Sequence, residues 1–317
     1  MNNFAPMNLP RLSVIIPIYN EEKNIPHMYR RLTDVCRGCV GDSYEFVFVS
    51  DGSRDHSEAL LLELAAMDPR VKYVFFSRNF GHQTALSAGL EAVKGEYTVI
   101  IDGDLQDPPE LIDEMLRKAG EGFEVVYARR RQRKGDSAFK KIYANLFYRL
   151  LRSITQVEIP VDTGDFRLIH RKVVDVVRRM PEKNKFLRGQ ISWIGFRQTY
   201  VEFERDARLY DESGYSFLKS LKLALTGITS FSDLPLRLAT FLGAFMLLFS
   251  LLGGVFLAYA RFVLHRAFPH TGAVMLGMVF LGGIQLLCIG ILGEYLSGMY
   301  HDLRNRPLYV VRESNVG

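Results

Sequence analysis

The sequence predicts an α/β domain with a mostly parallel sheet, followed by two membrane-spanning helices. Short apolar runs of strand length alternate with helical segments in the N-terminal part of the chain, and two uncharged stretches of 23 residues lie near the C-terminal end. The 317 residues carry a formal net charge of +5 and are 48% hydrophobic. This composition is too apolar for a disordered chain, and its small basic excess does not indicate a nucleic-acid-binding protein.

Five apolar runs are predicted as strands, with helical segments between them. The strands are Leu12–Ile18, Tyr44–Val49, Val71–Phe76, Tyr97–Ile101 and Phe123–Tyr127, and the helices are roughly Asp55–Met67, Gln83–Val93 and Pro109–Ala119. Alternation at this spacing indicates βαβ units and parallel strands. Ligands of such sheets bind beyond the carboxyl ends of the strands. We therefore expect the site in the loops after Ile18, Val49, Phe76 and Ile101.

Three of those loops are acidic. They read Pro17-Ile-Tyr-Asn-Glu-Glu22, Ser50-Asp-Gly-Ser-Arg-Asp55 and Asp102-Gly-Asp-Leu-Gln-Asp-Pro-Pro-Glu110. In the third loop the oxygens of Asp102, Asp104 and Gln106 alternate along the chain, and oxygen ligands suit Mg²⁺ or Mn²⁺. The chain contains neither the P-loop pattern nor a Gly-x-Gly-x-x-Gly before the first helix. A diphosphate held through a divalent metal ion is the interpretation that remains.

The two uncharged stretches, 238–260 and 271–293, are each about 35 Å long as a helix, which is enough to cross a bilayer. The connector 261–270 is short, so we expect an antiparallel hairpin. More lysines and arginines lie outside the hairpin than in the connector, which places the large domain and both termini in the cytoplasm and the hairpin in the inner membrane. The outer cations are Lys219, Lys222, Arg237, Arg304, Arg306 and Arg312.

These features divide the chain into four parts. Residues 1–211 form the predicted cytoplasmic α/β domain, 234–300 contain the two spans, and 301–317 form a cytoplasmic tail. Residues 212–233 mix lysines with apolar residues at helical spacing. This segment is predicted as amphipathic juxtamembrane helices in the membrane interface, and an ordinary surface helix remains the alternative.

Six motifs follow one another along almost the whole chain, from about Leu12 to Val311. They read SVIIPIYNEEKNIP, SDGSRD, NFGHQTALSAGL, DGDLQDPPE, VDTGDFRLIHR and LGEYLSGMYHDLRNRPLYVV. In this order they resemble the polyisoprenyl-phosphate glycosyltransferases of family 2, which have a GT-A nucleotide-sugar-binding domain. The resemblance implies a homotetrameric membrane enzyme that transfers a sugar from a nucleotide sugar to a polyisoprenyl phosphate with inversion. UDP-glucose and undecaprenyl phosphate are the expected substrates, with UDP-N-acetyl sugars, UDP-aminoarabinose and GDP-mannose as open alternatives for the donor.

The resemblance also assigns residues to the nucleotide sugar. It implies that the first two loops hold the base and ribose, and that the third holds Mg²⁺ or Mn²⁺ and the diphosphate. The two loop assignments are Pro17, Tyr19, Glu21 and Asp51 for the nucleotide, and Asp102, Asp104 and Gln106 for the metal, with Gly103 beside the donor. Ser50 stands where many members have Asp, and Gly103 stands where Ala is common.

Catalytic and acceptor residues are implied in the same way. Asp104, Asp165, Arg205 and Arg208 match catalytic positions, and Arg130, Arg133 and Lys219 are the expected phosphate contacts, with Lys222 as the alternative to Lys219. A lipid phosphate is mostly a dianion at neutral pH, so it does not need a strong general base. We therefore expect Asp165 to orient the sugar or acceptor, or to help the metal, rather than to take a proton. Gly214 stands where relatives have a phosphate-binding Lys.

Two other functions are alternatives to this one. A processive polysaccharide synthase of the same superfamily is disfavoured because the Gln-x-x-Arg-Trp motif is absent and Trp193 is the single tryptophan. A catalytically silent scaffold or transporter of lipid-linked sugars is disfavoured by the intact set of Asp102, Asp104 and Gln106 and by the small number of spans. Transfer of labelled sugar to a lipid phosphate would distinguish an enzyme from such a protein.

Overall fold

A computed structural model describes residues 9–131, 163–183, 185–203, 234–263, 271–304 and 306–316. These residues form two compact units. The first unit contains the described residues up to 203 together with 306–316, and the second contains the remaining described residues. The predicted juxtamembrane segment 212–233 lies outside the described residues.

An eight-stranded sheet forms the centre of the first unit. Its strands are β1 Leu12–Ile18, β2 Tyr44–Ser50, β3 Val71–Phe76, β4 Tyr97–Ile100, β5 Val125–Arg130, β6 Thr163–His170, β7 Gln198–Phe203 and β8 Val311–Ser314. Their spatial order is β7-β5-β6-β4-β1-β2-β3-β8. Four of the seven strand pairs are parallel, namely β1–β2, β1–β4, β2–β3 and β5–β7. The mostly parallel α/β sheet predicted from the sequence is confirmed.

Helices cover both faces of this sheet. They are α1 Ile25–Val40, α2 Ser57–Met67, α3 His82–Ala92, α4 Leu111–Gly120, α5 Arg171–Arg179 and α6 Leu187–Trp193. Helices α1, α2 and α4 pack on one face through side chains such as Met28 and Ile112. Helices α3, α5 and α6 pack on the other face through side chains such as Leu86 and Val173. Because both faces are covered, every residue of β1 and β2 is buried, which explains their continuous apolar sequences.

Strands β6 and β8 depart from the simple βαβ pattern. Strand β6 is antiparallel to both β4 and β5, between which it lies. Strand β8 comes from the segment expected to be a tail, and it pairs antiparallel with β3. The side chain of Asn315 fixes this pairing, since it accepts a hydrogen bond from Tyr73 N at 2.7 Å and donates one to Val71 O at 3.1 Å. All four residues of β8 are exposed, so no apolar alternation marks the strand in the sequence.

The second unit consists of α7 Leu234–Phe262 and α8 Thr271–Leu303, which contact each other. Helix α8 contains Phe280–Ser297, a stretch with a mean hydropathy of 1.5 in which no residue is buried. Among the described residues this is the one helix long and apolar enough to cross a membrane, while the apolar stretch of α7, Ala239–Gly253, is shorter. The sequence expectation of a membrane segment is thus supported for one helix, and the two-span hairpin is a proposal taken up below.

The packing of α3 on β1 leads to a stability prediction. A Cβ at Gly89 would overlap Ile15 Cγ2 and would lie 3.2 Å from Ile15 Cγ1. Ile15 is buried and branched at Cβ, so it has little room to move. We expect Gly89→Ala to lower the free energy of unfolding by about 1–3 kcal/mol. Thermal unfolding of the purified full-length chain in detergent measures the change.

Gly38→Ala is the matched control, because Gly38 lies in α1 and a Cβ there meets nothing within 4 Å. This substitution should be neutral or should stabilise the chain by up to about 1 kcal/mol, through the better helix propensity of Ala. Equal effects of the two substitutions would contradict the packing argument.

Candidate active site

The register of the central strands brings the acidic loops to one edge of the sheet. Ile18 at the end of β1 lies opposite Ser50 at the end of β2, and β4 pairs with the other side of β1. The loops after β1 and β2 also bond directly, since Glu21 N donates to Ser57 Oγ at 2.9 Å and Asp51 N donates to Ile18 O at 2.9 Å. The loops expected to hold a nucleotide and a metal ion therefore form one continuous rim.

Asp51 is a buried residue that connects two loops of the sheet edge. It is 4% exposed, and its carboxylate accepts hydrogen bonds from Phe80 N at 2.6 Å and from Gly81 N at 2.9 Å. Burial raises the pKa of Asp51, although these two backbone hydrogen bonds act in the opposite direction. The carboxylate thus ties the loop after β2 to the loop after β3. Contact of Asp51 with a nucleotide base stays a prediction.

The loop after β4 holds two buried oxygen atoms that accept no hydrogen bond from the described residues. Asp102 Oδ1 and Gln106 Oε1 make no hydrogen bond to the described part of the chain. Asp104 Oδ1 accepts a hydrogen bond from Gln106 N at 3.1 Å, which folds the loop back on itself. Leu105 between them has φ 60, a conformation uncommon for a residue other than Gly, and its side chain is buried. Packing of Leu105 therefore helps to hold the loop in its shape.

These residues fit a divalent metal ion. An unpaired buried carboxylate oxygen is costly, and a hard cation is the partner that would satisfy the oxygens of Asp102 and Gln106 together. Burial raises the pKa of Asp102, His82 opposes this, and the charges of Asp165 and Asp104 raise it further. No group of three or more His, Cys, Asp or Glu side chains suited to a metal ion occurs among the described residues. The set that would hold such an ion is two carboxylates and one amide, those of Asp102, Asp104 and Gln106.

Gly103 allows the close approach of this loop to the first. A Cβ at position 103 would lie 2.8 Å from Ile18 Cδ1 and 3.0 Å from Pro17 O. In this chain, the Ala that is common at this position in the resembling family would require Ile18 or the loop to shift. The small residue thus allows the loop with Asp102 to lie close to the end of β1.

Asp165 lies at the centre of a cluster that the sequence did not predict. Its carboxylate is 6% exposed and accepts hydrogen bonds from Arg188 Nε at 2.8 Å and Gln83 Nε2 at 3.3 Å, while His82 Nε2 lies 3.1 Å away. A second guanidinium, that of Arg167, lies 3.8 Å away. Burial raises the pKa of Asp165, but the hydrogen bond with His82 and the charges of Arg188 and Arg167 outweigh it and hold the pKa well below its usual range.

His82 bridges this cluster and the metal-type loop. Its Nε2 lies 3.1 Å from Asp165 and 3.6 Å from Asp102 Oδ1, and 45% of its side chain is exposed. Burial lowers the pKa of His82, but the hydrogen bond with Asp165 and the charge of Asp102 outweigh this and raise it. The neighbouring Gln83 accepts a hydrogen bond from Leu187 N at 3.1 Å, which fixes the start of α6 and hence Arg188.

The structure therefore brings together Asp51, Asp102, Asp104, Gln106 and Asp165, all of which the sequence predicted. Sequence reasoning missed His82, Gln83 and Arg188. The first two belong to the motif NFGHQTALSAGL, which was noted only as a family match, and its position after β3 was the available signal.

The other predicted site residues lie at the rim or outside the described residues. Pro17 is the penultimate residue of β1, Glu21 lies in the loop after β1, and Tyr19 is 45% exposed. Arg130 is the last residue of β5. Four predicted cations lie outside the described residues, namely Arg133, Arg205, Arg208 and Lys219. Their roles, and that of Lys222 as an alternative, stay predictions.

Comparison with known proteins decides the family. A family model described as Glycosyl transferase family 2 matches residues 13–178. The chain belongs to glycosyl transferase family 2. This glycosyltransferase is 47% identical over 302 residues to the uncharacterized glycosyltransferase YkcC of Bacillus subtilis. The aligned residues cover 95% of this chain and 93% of the relative. It is 38% identical to the SfII prophage-derived bactoprenol glucosyl transferase of Shigella flexneri, covering 97% of this chain and 99% of the relative. The family resemblance stated from the motifs is thereby confirmed.

Solved structures resemble this glycosyltransferase more distantly. The mannosyltransferase PcManGT from Pyrobaculum calidifontis, in complex with GDP-Man and Mn²⁺, is 15% identical, with a TM-score of 0.45 and coverage of 92% of this chain and 88% of that chain. Glucosyl-3-phosphoglycerate synthase from Mycobacterium tuberculosis, in complex with Mn²⁺, UDP and product, is 19% identical, with a TM-score of 0.45 and coverage of 69% and 78%. Similarity this distant carries no functional conclusion.

The Asp165 cluster predicts a pH-dependent contribution to stability. Asp165→Asn should lower the free energy of unfolding by about 3–5 kcal/mol near neutral pH, because Arg167 and Arg188 lose their counter-charge in a buried site. Since the pKa of Asp165 is lower in the folded state, its contribution is complete above the unfolded value of about 4 and is lost as the pH falls below it. Thermal unfolding at several pH values should show the gap between wild type and variant closing in acid.

Asp34→Asn is the matched control, since Asp34 is exposed on α1. It should leave stability nearly unchanged across the same pH range. A gap between wild type and Asp165→Asn that stays constant down to about pH 3 would contradict the assignment of a lowered pKa.

Proposed function

We propose that this glycosyltransferase transfers glucose from UDP-glucose to undecaprenyl phosphate with inversion, giving a lipid-linked sugar monophosphate for modification of cell-envelope glycans. The observation that carries the proposal is the pair of unpaired oxygens of Asp102 and Gln106 beside the fully engaged Asp165. The relative named bactoprenol glucosyl transferase, matched over nearly its whole length, supports the lipid acceptor.

The donor is proposed to bind at the rim formed by the loops after β1, β2 and β4. Pro17, Tyr19, Glu21 and Asp51 are proposed to contact the base and ribose, and Asp102, Asp104 and Gln106 to hold Mg²⁺ or Mn²⁺. When bound, such an ion would neutralise the charge of the leaving diphosphate. The protein's own contribution is to keep the oxygens of Asp102 and Gln106 available, since no described residue satisfies them.

The acceptor needs cations and no base. A phosphate monoester has a second pKa of about 6, so at neutral pH its oxygen is already the nucleophile. That oxygen forms the new bond to the anomeric carbon, and the electron pair of the broken bond leaves with the nucleoside diphosphate. Asp165 stays ionised and already accepts from Arg188 and Gln83, so it orients rather than deprotonates. Arg130, Arg133 and Lys219 are the proposed phosphate contacts, and Arg205 and Arg208 are proposed as catalytic residues beside them.

The path of the chain supports a two-span hairpin. Strands β7 and β8 belong to one sheet, and α7 and α8 lie between them in sequence. A chain that leaves one folded unit and returns to it crosses a membrane an even number of times. Because α8 contains a stretch able to span, α7, with 29 residues, is the proposed second crossing. The excess of outer cations then places the sheet and both termini in the cytoplasm, with the hairpin in the inner membrane.

A homo-oligomer, a tetramer by resemblance, completes the proposal. Helix α8 exposes large apolar side chains along its length, including Met278, Leu286 and Leu296. Lipid and neighbouring subunits are the partners proposed for this surface.

The enzymatic proposal predicts transfer from one nucleotide sugar of a panel to undecaprenyl phosphate. The panel contains UDP-glucose, UDP-N-acetyl sugars, UDP-aminoarabinose and GDP-mannose, and labelled sugar in the lipid fraction is measured. We expect turnover with UDP-glucose. Transfer from another donor would overturn the choice of sugar, and no transfer from any donor would favour a silent scaffold or transporter.

The metal assignment predicts the effect of Asp104→Asn. We expect transfer to fall about 100-fold or more, because one of the two carboxylates is lost. Excess EDTA should abolish transfer by the wild type, and Mn²⁺ should raise the thermal unfolding midpoint of the wild type more than that of the variant. Asp34→Asn, an exposed carboxylate on α1, should behave as the wild type. Full activity in EDTA would contradict the assignment.

The hairpin predicts where the connector is accessible. A cysteine introduced by His265→Cys should react with a membrane-impermeant maleimide in intact cells. A cysteine introduced by Asp42→Cys, at an exposed position of the first unit, should react only after the membrane is permeabilised. Labelling of both cysteines, or of neither, in intact cells would exclude the two-span topology.

A further inference from the structure

The segment that follows α8 makes an ionic contact beside the proposed nucleotide loops. Arg312 of β8 forms a salt bridge with Glu58 in the first turn of α2. The side chain of Glu58 is 15% exposed, whereas that of Arg312 is 51% exposed. The carboxylate therefore faces the interior, and the guanidinium covers it from the solvent side. Because Glu58 is largely buried, removing Arg312 would leave its charge uncompensated, which costs more than breaking an exposed ion pair.

A directed chain of hydrogen bonds begins at the buried side of Glu58. Ser50 Oγ lies 2.8 Å from Glu58 Oε1 and 3.1 Å from Ser53 Oγ, and Asn20 N donates to Ser53 Oγ at 3.1 Å. An ionised carboxylate only accepts, so the single hydroxyl proton of Ser50 goes to Glu58. Ser53 then donates its own proton to Ser50. Every donor in this series of hydrogen bonds points towards the carboxylate, so the charge of Glu58 strengthens each of them.

This chain fixes the backbone of both nucleotide loops. Asn20 has φ 58, a conformation uncommon for a residue other than Gly, and its side-chain Oδ1 accepts a hydrogen bond from Arg54 N at 2.8 Å. In the second loop, Ser53 N donates to Ser50 Oγ at 3.2 Å. The two loops are thus held by each other and, through Ser50, by Glu58. Ser50 itself is 0% exposed, so bulk water does not replace these bonds.

We propose that Glu58 and Arg312 are positioning residues for the donor, which hold the loops 17–22 and 50–55 in the geometry that binds a nucleoside diphosphate. The segment that returns from the second apolar helix would in this way set the affinity for the nucleotide. Ser50 stands where many members of the family have Asp, and Glu58 places a carboxylate next to this position. This inference rests on the proposed function, because that function assigns the two loops to the nucleotide.

The experiment compares Arg312→Gln and Glu58→Gln with the wild type, using the full-length chain in detergent. UDP and GDP are the binding probes, and hydrogen exchange of the backbone amides in 17–22 and 50–55 is the second readout. We expect nucleotide affinity to fall about three- to tenfold, as loss of a charge-assisted hydrogen bond predicts. Amide exchange in both loops should become faster, and the KM for the lipid phosphate should not change. Arg312→Lys should restore most of the affinity.

Two variants serve as matched controls. Arg306→Gln removes an exposed arginine of the same segment, and Glu63→Gln removes an exposed carboxylate of α2. Both should bind nucleotide and exchange amides as the wild type does. A merely structural role of Arg312 would lower the unfolding midpoint without separating the donor from the acceptor KM.

The outcomes separate this inference from the proposed function. If the wild type binds nucleotide and Arg312→Gln binds it equally with unchanged exchange, the positioning role is wrong. If the wild type binds neither UDP nor GDP, the proposed function fails, and unchanged loop exchange in the variants would overturn the positioning role as well. Should Arg312→Gln not fold, Ser50→Ala interrupts the same chain between Glu58 and Ser53. That variant must then show the weaker affinity and faster exchange, or the inference fails.

Discussion

The parallel register of β1 with β2 and β4 is the constraint on which the site depends. It aligns Leu12 with both Tyr44 and Tyr97, so the three strands point their carboxyl ends to the same edge. Carbonyl and amide groups at that edge have no further strand partners, and the loops satisfy them with their own backbone and side chains. A shift of one residue would move every side chain of β1 to the opposite covered face of the sheet, so the packing of both faces enforces the register that gathers the acidic loops.

Gathering acidic groups has an electrostatic cost that the fold meets in two different ways. Asp165 is surrounded by the guanidinium groups of Arg188 and Arg167 and by the ring of His82, and it therefore stays ionised. Asp102 keeps one buried oxygen that accepts no hydrogen bond from the described part of the chain, and burial raises the pKa of this carboxyl group. The first carboxylate is therefore saturated by the protein and suited to a fixed orienting role. The second is suited to an external cation, which matches a metal-held diphosphate.

The sheet also connects the chemistry with the membrane. Strand β8 returns the chain to the edge of the sheet beside β3, next to the loop that begins at Ser50. In the proposed function the acceptor phosphate lies at the membrane surface, so a catalytic unit joined to the hairpin at both of its ends remains at that surface. In that proposed function, the ion pair between Arg312 and Glu58 would couple the hairpin to the loops assigned to the nucleotide.

The sequence by itself determined the α/β class, the parallel centre of the sheet and the acidic loops, because buried strands and turn residues leave periodic and compositional signals. It also indicated Asp102, Asp104, Gln106 and Asp165 through motif order, and the roles of these residues stay predictions. The tertiary structure alone revealed the partners of Asp165, because Gln83 and Arg188 lie 82 and 23 residues from it along the chain.

The same holds for the edge strand β8, whose Glu313 accepts a hydrogen bond from Tyr73 of β3, 240 residues away along the chain. Its residues are exposed and non-periodic, so only pairing with β3 distinguishes them from a tail. The bridge from Arg312 to Glu58 and Ser50 likewise depends on three elements meeting in space. Single hydrogen bonds between distant side chains leave no pattern in the sequence, since they depend on strand order and register, which are decided only when the core packs.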